Sequence, residues 1–160
     1  MKRRLFWGVA VGMLGLMAGA GVQARAQEAK QDRGYWQAAS DTAKDITGDI
    51  SISELKLSIN FSRFTIAQIL DLTPAQAMAV FGADTDAQGG GNLYRLDVPA
   101  ERRFAHHNTL CGEQETQWMA TWSDGRTLQV AFFSGGAMPA LTADALAKAG
   151  TVCELLTYVR

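Results

Sequence analysis

The chain has 160 residues, 48% of them hydrophobic and 19% charged, with 15 Lys and Arg against 16 Asp and Glu. A near-balanced charge without a basic tract argues against nucleic-acid binding and against attraction to anionic membrane surfaces. The length suits a single ordinary domain.

Lys2, Arg3 and Arg4 precede an apolar run from Leu5 to Val22, which is followed by Ala24-Arg25-Ala26. A basic start, an apolar middle and an A-x-A ending predict a secretory signal peptide over 1–26, and hence a periplasmic or secreted protein. A retained anchor is the competing reading, since eighteen apolar residues reach the lower limit for a span. Gly8, Gly12, Gly15, Gly19 and Gly21 dilute the run, however, and no stable membrane insertion is expected after cleavage. The Arg3-Arg4-Leu5-Phe6 order loosely resembles a twin-arginine signal, but Lys2 and the short basic region favour the ordinary route. Four basic residues and no acidic ones lie in 1–26, so cleavage leaves eleven basic against 16 acidic residues, a charge of −5.

After a polar, flexible tail over 27–34, a single β-rich domain is expected over 35–160, opening at Tyr35 and Trp36. Ile46, Ile50 and Ile52 share one parity and predict a strand. The parity flips after Ser53-Glu54 to Leu55, Leu57, Ile59 and Phe61, which predicts a tight turn between antiparallel strands. Phe64 and Ile66 continue the alternation. Thr73-Pro74-Ala75-Gln76 is the clearest helix start, with a capping threonine, proline in the first turn and a capping-box glutamine. This helix should stop before Gly82. Gly89-Gly90-Gly91 lacks the Lys-Ser/Thr of a phosphate loop and reads as linker. Tyr94, Leu96 and Val98 then mark one face of a strand that Pro99 ends. Thr116–Phe133 predicts a hairpin around Ser123-Asp124-Gly125, with Ala120 opposite Leu128 and Trp118 opposite Val130. Thr142–Gly150 predicts a short helix, and Val152–Val159 the last strand.

These elements predict an all-β, mainly antiparallel fold: a seven- or eight-stranded barrel or sandwich with two short helices. Cys111 and Cys153 are the only cysteines, and an even pair in an exported chain reads first as a disulfide. Closing about 42 residues would stabilise the fold by roughly 4 kcal/mol on the chain-entropy model. Two free thiols or a redox pair are the alternatives, although the C-x-x-C spacing of redox pairs is missing.

Signals for chemistry are sparse. Adjacent His106 and His107 point in different directions and lack metal-ligand spacing, so no metal and no cofactor are expected. Ser134, His107 and Asp97 supply the residue types of a hydrolase triad, without a G-x-S-x-G elbow. Dispersed carboxylates could form a glycosidase pair, but no spacing announces one. Asp49 interrupts an apolar strand and reads as a polar residue bonding a turn. Arg102 and Arg103 beside His106 and His107 form the one basic-aromatic cluster, a candidate rim for a protein or anion. Trp118 and Trp122 are candidates for an exposed aromatic patch, unless a helix covers them.

Ser40-Asp41-Thr42, Ile46-Thr47-Gly48-Asp49-Ile50, Leu93-Tyr94-Arg95, Asn108-Thr109-Leu110-Cys111-Gly112 and Phe132-Phe133-Ser134-Gly135, with a late second cysteine, resemble a group of small exported proteins of Gram-negative bacteria. The resemblance spans most of the domain and implies a compact β fold with Cys111 paired to Cys153. Glu154 stands where that group has a glycine after its second cysteine. No activity attaches to the group, so no catalytic residue carries over. The reading that results is an exported, non-enzymatic β-domain that binds an envelope protein or a small ligand, as an inhibitor or accessory factor. An envelope hydrolase and a purely structural envelope protein are the alternatives.

Overall fold

The computed structural model describes residues 31–84 and 88–160; the expected signal peptide and residues 27–30 of the expected tail lie outside that range. The described residues form nine strands: β1 (Gly34–Ala38), β2 (Ile50–Ile52), β3 (Lys56–Ile59), β4 (Ser62–Thr65), β5 (Ala67–Asp71), β6 (Gly90–Val98), β7 (Thr116–Ser123), β8 (Thr127–Ser134) and β9 (Val152–Val159). Three helices accompany them, α1 (Asp41–Ile46), α2 (Pro74–Phe81) and α3 (Ala143–Ala149), with a 3₁₀ turn at Ala105–His107. Cys111 and Cys153 form the disulfide, with Cα atoms 5.0 Å apart.

All strand pairs are antiparallel, in the order β4-β3-β2-β1-β9-β8-β7-β6-β5. The hydrogen-bonded sheet is therefore open, with β4 and β5 at its two ends. These strands are nevertheless consecutive in the chain and joined by Ile66 alone, so one bent segment bonds β3 with its first half and β6 with its second. The sheet must curl until its ends meet. Ile66, 1% exposed, sits at the bend and its N–H donates to the Leu55 carbonyl at 2.9 Å.

Curling gives the sheet an inner face, which is buried, and an outer face, which is buried over β6, β7 and β8. Trp36, Ile50, Ile52, Leu57, Ile59, Tyr94, Met119, Val130, Phe132, Leu156 and Tyr158 fill the inside. On the outside, Leu93, Trp118, Ala120, Ala131 and Phe133 pack beneath Phe81 of α2 and Leu141 and Leu146 beside and on α3. Aromatics on both faces of β8 thus serve two cores.

The helix at Thr73 forms as its residues dictate. The Thr73 hydroxyl accepts from the Gln76 N–H, the Gln76 side chain accepts from the Thr73 N–H, and Gly82 closes the helix in the left-handed region. The helix at Thr142 is likewise capped by that threonine and ends at Gly150.

Several expectations need correction. Ile46 ends a helix instead of opening a strand: the Ser40 hydroxyl caps α1 by accepting from the Ala43 N–H at 3.2 Å. The chain then reverses at Gly48, with φ 61°. All three isoleucines are buried, so the shared parity reported burial and not backbone conformation. Gly90 and Gly91 open β6 and are not linker. A Cβ on Gly91 would lie 2.1 Å from the Thr121 carbonyl oxygen, so the close approach of β7 requires glycine there. The β7–β8 hairpin pairs Ser123 with Leu128, Thr121 with Val130 and Trp118 with Phe133. That register encloses Asp124–Thr127, whose carboxylate accepts from the Arg126 and Thr127 N–H groups at 2.8 and 2.7 Å. Finally, Asp32 belongs to the stretch expected to be tail, yet it is 1% exposed.

Candidate functional site

Ser40, Thr47 and Asn108 hold α1 in place. Thr47, fully buried, donates to the Ala43 or Gly48 carbonyl and shares a 2.7 Å hydrogen bond with the Tyr158 hydroxyl. Asp49 accepts from the Ala38 N–H at 2.9 Å and from the Tyr35 hydroxyl, and these donors hold its carboxyl below the ordinary range. Its sequence setting suggests an inward residue bonding a turn; it is instead exposed and bonds two residues of β1. The Ser40 hydroxyl accepts from the Thr157 N–H at 3.1 Å and so ties α1 to β9. Asn108 donates to the Asp45 carbonyl at 2.9 Å and caps the far end of the helix. These residues build the fold.

The basic-aromatic cluster lies in the connection from β6 to β7, and its members diverge. Arg102 donates to the Ser62 hydroxyl on β4, with its guanidinium 6.0 Å from the Phe64 ring. Arg103 donates to the Ala100 carbonyl of its own turn at 2.9 Å. His106 places Nδ1 3.2 Å from the Asp45 carbonyl oxygen, and His107 is exposed. Both histidines have left-handed backbone, with φ of 51° and 63°. Phe104 anchors the loop by packing edge-on against Phe64, 5.9 Å between centroids. Trp118 and Trp122 are not part of this surface. Trp118 is 7% exposed in the outer core and Trp122 packs against the same cluster, so helices cover the expected aromatic patch.

Beside α1 lies an open polar cleft of about 460 Å³, and none of the four basic residues lines it. Asp41, Thr42, Asp45 and Ile46 of α1 line one side, Asn108, Thr109 and Gly112 another, and Glu154 of β9 the base. Burial pushes the Glu154 carboxyl above its ordinary range. The Cys111–Cys153 bridge ties the wall at Gly112 to the base at Glu154, so these two parts of the cleft are fixed covalently. Sequence reasoning missed it, because its residues come from three separate segments. Ser40 followed by Asp41 was the available signal for α1, and the isoleucine parity masked it.

Ser134 is 6% exposed and borders an apolar pocket with Met138, Pro139 and Leu146. No hydrogen bond among the described residues links it to His107 or Asp97. No group of three or more His, Cys, Asp or Glu among the described residues is arranged to hold a metal. Within the same range, no helix is long and apolar enough to cross a membrane. Comparison with protein-family models, with curated proteins and with solved structures finds no match.

Proposed function

We propose that the protein is an exported, non-enzymatic β-domain that binds a protein partner in the cell envelope through the rim around α1. The observation that carries this reading is the contrast between the two spaces a curled sheet can offer. Inside, Trp36, Tyr94, Met119, Phe132 and Tyr158 occupy the volume where a small-ligand barrel would be hollow. Outside, the α1 end presents a polar cleft that the disulfide holds rigid. Its carboxylates, Asp41, Asp45 and Glu154, with Thr42, Asn108 and Thr109 and with His106 held at the Asp45 carbonyl, give a polar, mainly acidic rim suited to a polar protein surface. The disulfide fits an oxidising compartment and supports periplasmic or secreted residence.

A photo-crosslinking residue placed at Thr109, in the cleft, is expected to trap one discrete envelope protein in cells. The same residue at Lys56, an exposed position on β3, should trap none. Equal or absent trapping at both positions would leave the rim without a role.

A further inference from the structure

At the opposite end of the strands from the α1 cleft, three hydrogen-bond donors inside the barrel converge on a single oxygen atom. Asn92 and Tyr94 lie two residues apart on β6, and Thr121 pairs with Asn92 across β7. Their side chains are 1%, 0% and 0% exposed. The Asn92 amide, the Tyr94 hydroxyl and the Thr121 hydroxyl donate to Asp32 Oδ2 at 2.9, 2.8 and 2.6 Å. Three neutral donors on two adjacent, rigid strands form a built receptor for a carboxyl group, since charge-assisted bonds to a carboxylate are the strongest such donors make.

The group that fills this receptor does not belong to the sheet. Asp32 precedes β1, in a segment outside regular structure that lies across the barrel end. Main-chain anchors hold the segment. The Trp36 indole N–H donates to the Asp32 carbonyl at 2.9 Å, and the Arg160 guanidinium donates to the Gln31 and Arg33 carbonyls at 2.7 and 3.2 Å. Arg160 also lies 4.0 Å from the centre of the Trp36 ring.

The side chains of the segment fit less well than its backbone. Among the described residues, Asp32 Oδ1, Gln31 Oε1 and Arg33 Nε are buried without a hydrogen-bond partner, at a desolvation cost, although the Arg33 side chain also reaches the Tyr94 hydroxyl. The receptor is satisfied; its occupant is satisfied at Oδ2 and not at Oδ1. We infer that Asn92, Tyr94 and Thr121 form a carboxylate-binding site, and that residues 31–33 are an internal strap whose Asp32 occupies it until an external carboxylate replaces it. The reading does not depend on the α1 cleft. Its ligand class is a carboxyl group, carried either by a small free acid or by an acidic side chain of a peptide.

Replacement of Asp32 by alanine empties the site while leaving the main-chain anchors in place. Acetate and N-acetyl-aspartyl amide serve as probes at constant ionic strength, read by the Asn92 side-chain amide and Trp36 indole resonances. Saturable binding is expected, at least ten-fold tighter in Asp32→Ala than in the parent protein. It should be lost when Thr121→Val is added. In the parent, binding should also speed solvent exchange of the Trp36 indole proton as the strap leaves. Preference for acetate would point to a free acid, and preference for the aspartyl amide to a peptide. Should Asp32→Ala be unfolded, its refolding by either probe supports the site. Failure of both probes to bind or refold it, or equal affinity in the parent and the variant, overturns the inference.

Discussion

Thr47 shows how a residue that looks chemical can be structural. Its hydroxyl is the hydrogen-bond partner of the Tyr158 hydroxyl, which lies in the inner core with no exposure. Thr47→Val should therefore cost about 1–3 kcal/mol, because a buried hydroxyl loses its partner. Adding Tyr158→Phe should recover much of that loss, since two matched apolar groups leave nothing unsatisfied. Urea unfolding of the four proteins of the cycle measures the coupling. Glu154 behaves in the opposite sense. Burial raises its carboxyl, so ionisation is harder in the folded chain than in the unfolded one. Its contribution is therefore fully present below the ordinary glutamate value of 4.5 and is lost as pH rises through the folded value. Glu154→Gln should raise Tm at pH 7 and change it little at pH 4, as thermal unfolding across that range would show. Neither residue was legible as such from the sequence. Thr47 sits in a motif whose partner is 111 positions away, and nothing near Glu154 announces its desolvation.

At the scale of elements, legibility followed the locality of the forces. The helix at Thr73 was readable because its cap, its proline and its stopping glycine are neighbours in the chain. The β2–β3 turn was readable from one parity flip, and Ser53 does bond Lys56 across it at 2.8 Å. The β7–β8 register was not. Alternation specifies register when only one face of a sheet is buried. Here Met119 and Thr121 face one core while Trp118 and Ala120 face the other. With both faces apolar, several registers satisfy the pattern equally, and the Asp124 turn decides. The glycines that open β6 misled for a related reason. Their necessity lies in a cross-strand approach that no local rule reports. Gly91→Ala should destabilise by about 1–3 kcal/mol or more through overpacking against the Thr121 carbonyl, with denaturant unfolding as the check.

For the whole molecule, the antiparallel all-β class and the disulfide were foreseen from strand patterning and cysteine count. The barrel-like curl goes further than patterning could. It follows from β4 and β5 being one bent segment that serves both ends of the sheet. The cleft was not legible in the sequence. Arg102, Arg103, His106 and His107 do share one loop but do not line it, and its walls and disulfide brace required three distant segments to meet. Trp118 and Trp122 turned out to belong to the second core because helices cover the outer face. Recognition at the rim goes with a packed barrel behind it. It is tested most directly by titrating the protein with an apolar fluorescent probe of fatty-acid size. With Trp36, Tyr94, Phe132 and Tyr158 filling the interior, we expect no saturable uptake and no quenching of Trp36. Saturable one-to-one binding that quenches Trp36 would show a ligand entering the barrel and would contradict recognition at the rim.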